Sequence, residues 1–311
     1  MTHSIIPTQL AERELAIETR DLVKQYGAHR ALQKAALQVP EGAVSLLIGP
    51  NGAGKSTIIK ILIDLVRPSS GDALVLGMNT RTESPLIRAN VGYVPEQLDW
   101  GYAWMKVGRL LEHHAAYFPA WDAQYARRLS DAFDLRLDQK MSTLSKGQGR
   151  RVHLVLALAH RPPVLILDEP TDGLDPVMRD GVLQALISHV ADAPTTMLIS
   201  THHAGELEQL ADHVSVLRAG SLCAQLPIEE LKRGLRRYRA EVPDAWTGAS
   251  EINGAAISKV RTQGQIEWTV WGDERDVVDR LGRSGAQVRD VLPMGINEAA
   301  LALLNPQMVM R

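Results

Sequence analysis

Short runs of apolar residues alternate with segments of helical spacing along the first two thirds of the chain. The apolar runs predict strands at residues 15–26, 36–39, 44–48, 164–167, 196–200 and 214–217. Apolar residues that recur at helical spacing predict helices at residues 55–66, 148–160 and 180–191. Strands that alternate with helices favour a mostly parallel sheet covered on both faces, and therefore an α/β fold class.

Two further regions depart from this pattern. Between about residues 99 and 147 the spacing is helical and aromatic residues are frequent, which predicts a helical subdomain. Beyond residue 227 the pattern predicts a basic helix at 229–239, a strand at 260–270, a helix at 273–283, a strand at 288–292 and a helix at 297–304. We therefore expect a main domain at residues 15–226 and a small C-terminal α+β domain at residues 227–311.

Composition narrows the class of protein. The chain has 311 residues, a formal net charge of −2, 45% hydrophobic and 23% charged residues, as expected of a globular protein with two domains. The lone Cys223 allows neither an internal disulfide nor a cysteine-based metal site. Near-neutral charge gives no concentrated basic field, so no nucleic-acid partner is expected. No apolar run reaches the length of a membrane span, and the first residues lack the pattern of a signal peptide.

A glycine-rich loop follows the predicted strand at 44–48 and precedes a predicted helix. Its residues match the pattern G-x-x-x-x-G-K-[ST] and are Gly49, Pro50, Asn51, Gly52, Ala53, Gly54, Lys55 and Ser56. The glycines let successive backbone amides point inward as an anion-binding nest, and the helix N-terminus adds its dipole. Lys55 is then expected to reach the β- and γ-phosphates of a nucleotide, and Ser56 to ligate Mg²⁺.

Two carboxylates end the apolar strand at 164–167. Asp168 is expected at the C-terminal edge of the sheet, where it would hold Mg²⁺ through water beside Ser56. Glu169 points away from its neighbour and is expected to polarise a water that attacks the γ-phosphate. Acidic pairs after strands are usually solvated turn residues, and it is the glycine-rich loop that favours the catalytic interpretation here.

The segment between these motifs carries a third one. Leu144, Ser145, Lys146, Gly147 and Gln148 resemble the LSGGQ signature of the ABC ATPases, with Lys146 in place of the first glycine. The resemblance extends over about residues 15–225 and implies a P-loop NTPase fold that binds ATP and Mg²⁺. It also implies a head-to-tail dimer, in which the signature residues of one subunit cap the γ-phosphate held by the other.

Further positions match the family one at a time. Tyr26 resembles the aromatic residue that stacks on adenine, and Thr57 completes the phosphate-binding loop. Asp175 matches the loop that crosses the dimer interface. His202 matches the switch histidine, which bonds the γ-phosphate and helps to fix the attacking water, whereas the adjacent His203 is interpreted as a bystander.

The Q-loop departs from the family pattern. Glu96 stands where many members have glutamine, and Gln97 follows it. Either side chain offers an oxygen that could sense Mg²⁺, and the register of the motif favours Glu96.

The resemblance implies an ATP-hydrolysing subunit that powers a membrane transporter through ATP-driven dimer closure. The run at 117–122, Lys146 and the C-terminal domain are similar to ATPases of ABC-2-type bacterial exporters. The implied partners are an identical or related ATPase subunit and an integral membrane permease, which would hold the chain at the cytoplasmic, inner face of the cytoplasmic membrane.

Two other function classes compete with this interpretation. One is an ABC ATPase that acts in translation or DNA repair; such proteins commonly carry two nucleotide domains in one chain or a long coiled-coil insertion, and this sequence shows neither. The other is a P-loop kinase, which would leave the signature and His202 unexplained.

Some side chains outside these motifs allow more than one interpretation. Trp100, Trp104 and neighbouring aromatic residues either line a groove for a short permease helix or form the core of the helical subdomain. The basic residues of the predicted helix at 229–239 either meet lipid headgroups or form a solvated face. Trp268 and Trp271 lie three apart on a predicted strand and are expected on opposite faces.

Overall fold

The computed structural model describes residues 14–97, 101–243, 246, 256–262 and 264–304. The strands are β1 Leu15–Tyr26, β2 His29–Ala35, β3 Gln38–Pro40, β4 Val44–Ile48, β5 Ser70–Val75, β6 Met78–Asn79, β7 Val91–Val94, β8 Val164–Asp168, β9 Thr196–Thr201, β10 His213–Arg218, β11 Ser221–Pro227, β12 Leu235–Glu241, β13 Ala256–Thr262, β14 Gln265–Trp271 and β15 Gln287–Pro293. The α-helices are α1 Lys55–Leu62, α2 Ser84–Asn90, α3 Val107–Ala115, α4 Ala123–Ala132, α5 Lys146–Leu158, α6 Pro176–Asp192, α7 Ile228–Gly234, α8 Glu274–Arg283 and α9 Ile296–Leu304.

A six-stranded sheet forms the centre of the main domain. Its order is β11-β10-β4-β9-β8-β7, and every neighbouring pair is parallel except β10 with β11. All residues of β4, β8 and β9 are buried, because helices or a second sheet cover both faces. The predicted α/β fold with a mostly parallel sheet is confirmed.

A second, antiparallel sheet packs on one face of the first. It has the order β2-β1-β5-β6, with β3 also paired to β1. The pattern of apolar residues did not predict β2. Only Ala31, Leu32 and Ala35 of this strand are buried, and its other positions are exposed and polar. Helix α1 ends at Leu62, short of the predicted residue 66, and Asp64 just beyond it has a φ of +54°.

The helical subdomain contains α3, α4 and the first part of α5. Its aromatic residues divide between the two interpretations: Tyr125 and Phe133 are buried, whereas Trp104 is 72% exposed. Trp100 lies outside the described residues. The Tyr125 hydroxyl is 3.0 Å from Nδ1 of His189 on α6, and burial, followed by the nearby Arg161, lowers the pKa of His189 to about 4. The subdomain is therefore joined to α6 through a neutral, buried histidine.

The C-terminal region corrects two sequence predictions. The predicted helix at 229–239 ends at Gly234, and the chain continues as β12 because Leu235, Tyr238 and Ala240 enter a core. The predicted strand at 260–270 is a hairpin of β13 and β14, with a turn at Gly264, whose φ is +77°. These strands form an antiparallel sheet, β13-β14-β12-β15, against which α8 packs.

The arginines of β12 pair with acidic residues of the same chain. Arg236 lies 3.2 Å from Glu274, and Arg239 lies 2.8 Å from Glu267. Such pairs favour the solvated interpretation of the basic residues over contact with lipid headgroups.

The two tryptophans of β14 lie on opposite faces, as expected. Trp268 is buried in the core of the C-terminal sheet, whereas Trp271 packs against the core of the main domain and beside Gly234.

Helix α9 belongs to the same hydrophobic core as the central sheet. Leu303 lies in one continuous cluster with Val214 and Val216 of β10, and Leu231 of α7 is in the same cluster. Asn297 Oδ1 accepts a hydrogen bond of 2.9 Å from the amide of Gly205. The boundary after residue 226 stays a prediction, but apolar packing crosses it. None of the described helices is both long and apolar enough to span a membrane.

If α9 completes this core, Leu303→Ala should lower the free energy of unfolding by about 2–5 kcal/mol, because the side chain is 1% exposed. Leu301 is 69% exposed on the same helix, so Leu301→Ala is the matched control and should change stability by less than about 0.5 kcal/mol. Urea unfolding followed by tryptophan fluorescence measures both. Equal effects of the two substitutions would contradict the packing of α9.

Candidate active site

The glycine-rich loop joins β4 to α1 at the C-terminal edge of the central sheet. Gly52 and Gly54 have φ values of +79° and +110°, which favour glycine. A Cβ on Gly49 would lie 2.4 Å from the carbonyl oxygen of Leu217, so a larger residue would displace the loop from β10. The loop therefore ends with the backbone amides of the α1 N-terminus at the sheet edge, the arrangement that binds phosphate.

Lys55 is the first residue of α1, directly after this loop, and it is buried. Its Nζ donates a hydrogen bond of 2.8 Å to the carbonyl of Gly49 and lies 3.4 Å from Oε1 of Glu169. An ammonium group is thus held between the loop and the end of β8.

Asp168 ends β8 and is 1% exposed. Burial raises the pKa of its carboxyl, and the charges of Glu96 and Glu169 act in the same direction; hydrogen bonds from the hydroxyls of Ser200 and Ser56 lower it. Among the described residues no group of three or more acidic, histidine or cysteine side chains is arranged to hold a metal ion. The oxygens that lie together here are those of Asp168, the Ser56 hydroxyl and Glu96, and oxygen is the ligand type that a hard cation prefers.

Glu169 adopts a φ of +50° and its carboxylate contacts two basic side chains. Oε2 lies 2.9 Å from Nδ1 of His202, and Oε1 faces Lys55. The Glu169 amide donates to the carbonyl of Ser200 at 3.1 Å. The ring of His203 lies against His202, with centroids 3.9 Å apart. Glu169 is therefore held in one orientation, between a histidine and a lysine.

The Q-loop places Glu96 beside the phosphate-binding loop. Both Glu96 and Gln97 are exposed, but Glu96 Oε2 lies 3.4 Å from the Ser56 hydroxyl, and no hydrogen bond joins Gln97 to Ser56 among the described residues. The geometry thus brings the carboxylate, and not the neighbouring amide, to Ser56 and Asp168.

The signature residues stand at the start of α5. Ser145 caps the helix: its hydroxyl accepts from the amide of Gln148 at 3.2 Å, and Oε1 of Gln148 accepts from the amide of Ser145 at 2.9 Å. Lys146 pairs with Asp172 at 2.8 Å, and Gly147 packs against Leu174. The signature therefore contacts the loop before α6.

Asp175 caps α6: its carboxylate accepts a hydrogen bond of 3.0 Å from the amide of Met178.

Tyr26 lies at the exposed end of β1, and the Lys24 ammonium is 4.8 Å from the centre of its ring.

The predicted site residues thus form two groups within the chain. Lys55, Ser56, Glu96, Asp168, Glu169 and His202 meet at the sheet edge. Ser145, Gly147, Gln148 and Asp175 belong to the second group, and within the described part of the chain no hydrogen bond links the two.

Sequence reasoning missed Ser200 and Arg150. Ser200 is a buried polar residue within the apolar strand β9, and Arg150 is a fully buried charge within the helical pattern of α5. A polar residue where the pattern demands an apolar one was the signal in both cases.

Comparison with known proteins decides the family. The profile described as "ABC transporter" matches residues 32–172. The daunorubicin/doxorubicin resistance ATP-binding protein DrrA of Streptomyces peucetius is 37% identical over 71% of this chain and 68% of its own. The chain belongs to the ABC transporter family of ATP-binding proteins.

Other relatives of this ABC protein agree with that assignment. Daunorubicin resistance ATP-binding protein DrrA3 of Streptomyces coeruleorubidus is 33% identical over 94% of this chain and 93% of its own. The bacitracin transport ATP-binding protein BcrA of Bacillus licheniformis is 31% identical over 71% of this chain and 73% of its own. A solved ATP-binding subunit of an ABC transporter has a TM-score of 0.64 and 31% identity, and covers 71% of this chain and 92% of that one.

These findings confirm the predicted family, the P-loop NTPase fold and an ATPase that binds nucleotide. These relatives are named as ATP-binding proteins of daunorubicin resistance and of bacitracin transport, so the alternative of a translation or repair factor is not favoured.

The hydrogen bond from Ser200 predicts a shift in the pH profile of this ABC ATPase. If Asp168 holds a cation, as the sequence predicts, its carboxyl must be ionised to do so, and activity should fall as pH drops through its pKa. The Ser200 hydroxyl stabilises the ionised form, and Ser200→Ala should raise the pKa of Asp168 further. The acid limb of kcat/KM for ATP should therefore move to higher pH.

Ser45→Ala is the matched control, because Ser45 is also buried in the central sheet and its hydroxyl has no hydrogen-bond partner in the described structure. Profiles that shift equally in both variants, or an acid limb that moves to lower pH in Ser200→Ala, would contradict the role of this hydrogen bond.

Proposed function

We propose that the chain is the ATP-hydrolysing subunit of a membrane exporter and works as a head-to-tail dimer. The observation that carries this proposal is the division of the site residues into two groups, one around Lys55, Asp168 and Glu169 and one around Ser145. A complete site requires both groups at one nucleotide, and a second subunit supplies the missing one.

The first group binds ATP. The loop Gly49–Thr57 surrounds the phosphates. Backbone N–H groups of Asn51, Gly52, Ala53 and Gly54 can donate to them, whereas Pro50 has no N–H and only shapes the loop. Lys55 neutralises the β- and γ-phosphates once it leaves its contact with Gly49. Tyr26 offers an exposed ring on which adenine stacks.

The donor set at the sheet edge fits Mg²⁺. Ser56, Asp168 and Glu96 supply oxygens, and the crowded carboxylates favour a cation there. Bound Mg²⁺ would neutralise charge on the phosphates.

Glu169 orients and deprotonates the attacking water, and His202 positions Glu169. Their contact of 2.9 Å and the buried position of Glu169 hold the carboxylate before ATP arrives. Because Glu169 also faces Lys55, the binding of phosphate to Lys55 frees a carboxylate oxygen for the water.

The second group acts on the partner's nucleotide. Ser145, Gly147 and Gln148 present a capped helix N-terminus to the γ-phosphate, and Asp175 lies on the loop that packs at the dimer interface. ATP is then bound more tightly by the closed dimer than by separate subunits, which couples binding to closure.

A groove beside the Q-loop supports a permease partner. Its cavity of about 450 Å³ is mostly apolar and is lined in part by Leu65, Tyr102, Leu110, His114 and Phe118. Burial, together with neighbouring histidines, lowers the pKa of His114 to about 4, so this side chain is uncharged at neutral pH, and Arg88 is the charged residue of the lining. A short apolar helix of the permease fits such a groove, and would hold the chain at the inner face of the cytoplasmic membrane.

Affinity purification of the tagged full chain from detergent-solubilised membranes tests the transport role. A stoichiometric polytopic membrane protein should be recovered with the wild type and lost with Leu65→Glu, which places a charge on an exposed wall of the groove. Leu301→Glu, on exposed α9 surface, should retain it. Recovery of ribosomal or DNA-bound proteins instead would overturn the transport role and leave the ATPase standing.

Glu169→Gln should bind ATP, accumulate as a dimer and lose hydrolysis by at least ~100-fold, because the amide cannot accept the proton of water. Titration calorimetry, size-exclusion chromatography with ATP and phosphate release measure the three properties. Glu208→Gln, which alters an ion pair with Lys232 elsewhere, should hydrolyse ATP normally. Near-normal turnover in Glu169→Gln would reject the role of Glu169.

Lys55→Ala should abolish ATP binding itself, because the ammonium group that neutralises the phosphates is lost. Titration calorimetry measures this binding, and an unchanged affinity would contradict the role of Lys55.

A further inference from the structure

Arg150 joins three parts of the site through one buried guanidinium. It lies on α5 and is 0% exposed. Nη1 donates to the carbonyl oxygens of Pro95 at 2.8 Å and Asp168 at 3.2 Å, and Nη2 donates to the carbonyl of Glu96 at 2.8 Å. One side chain of the signature helix thus holds the backbone of both the Q-loop and the end of β8.

The contacts of Arg150 are unusual for a buried charge. Its hydrogen-bond acceptors are neutral carbonyls, and its Nε has no partner in the described part of the chain. Burial lowers the pKa of Arg150, and the carboxylates of Asp172, Asp168, Glu96 and Glu169 oppose that effect. The charge is therefore balanced by the carboxylates of the site at longer range, and charged donors strengthen the bonds to the carbonyls.

We propose that Arg150 is a positioning residue that holds Glu96 at the cation site and offsets the negative charge of that glutamate. The inference rests on the proposed ATP and Mg²⁺ site. By fixing the carbonyls of residues 95 and 96, Arg150 sets the backbone from which the Glu96 carboxylate reaches Ser56 at 3.4 Å. Its hydrogen bond to the backbone carbonyl of Asp168 fixes, through the same guanidinium, the main chain that carries the second carboxylate of the set.

The neighbouring Arg151 shows that this arrangement is specific. Arg151 is also buried on α5, but its guanidinium donates to the carbonyl of Phe133 and to Met178 Sδ, away from the Q-loop. It is a buried arginine of the same helix without contact to the cation site, and therefore the matched control.

The test compares ATP affinity with Mg²⁺ and with EDTA, by calorimetry on the full chain. Arg150→Lys keeps the charge but cannot span three carbonyls. It should lose at least ~10-fold of the Mg²⁺-dependent gain in ATP affinity, the scale expected when a group that orients a metal ligand is changed. ATP affinity in EDTA should stay at the wild-type value, because the glycine-rich loop and Lys55 are intact. Arg151→Lys should keep the full Mg²⁺-dependent gain, whatever its effect on thermal stability.

A second pair of variants tests the charge balance and keeps the inference falsifiable if Arg150→Lys does not fold. Arg150→Gln leaves Glu96 without its counter-charge, and adding Glu96→Gln should restore part of the Mg²⁺-dependent gain. Two results would overturn the positioning role if the wild type shows the Mg²⁺-dependent gain in ATP affinity. One is that the losses from Arg150→Gln and Glu96→Gln simply add in the double variant. The other is that Arg150→Lys keeps the full gain. A wild type without ATP binding or without the gain would overturn the proposed site as well.

Discussion

Two carboxylates, Asp168 and Glu169, are buried side by side at the end of a central strand, and much of the surrounding structure makes this burial tolerable. Like charges at low dielectric repel, and each must be solvated by the protein instead of by water. Ser200 donates to Asp168, His202 and Lys55 contact Glu169, and the dipole of α1 begins beside them. The charges that a nucleotide and a cation will meet are therefore arranged by the fold before either arrives.

This arrangement requires a central sheet whose register is fixed. A strand that must deliver a carboxylate to a fixed point cannot shift register, and β8 is held in register by β7 on one side and β9 on the other. A shift of one position would turn every side chain of β8 to the opposite face and take the Asp168 carboxylate away from the hydroxyls of Ser200 and Ser56. Helix α5 adds to the rigidity of this edge, because its Arg150 donates hydrogen bonds to the carbonyl of Asp168 and to the carbonyls of the Q-loop.

The central strands and the site motifs could be predicted because their signals are local. Continuous apolar runs mark β4 and β8, and the glycine-rich loop joins a strand to a helix, so residue types alone indicate phosphate chemistry. Strand β2 could not be predicted, because only part of it is buried. The helix expected at 229–239 was wrong beyond Gly234, since β12 owes its form to partners in β14 and β15 far along the chain. The link from Arg150 to Pro95 was equally invisible, because it joins residues that only the tertiary fold brings together.

The position of α9 bears on how the protein is made. β10 pairs with β4 in the middle of the sheet, and α9 covers the face on which Val214 and Val216 lie. A ribosome completes every nucleotide-binding motif well before it reaches residue 296, so the nascent chain carries its ATPase residues while that apolar face is still bare. The interval between those two events is when the chain is most exposed to aggregation, and most in need of a chaperone.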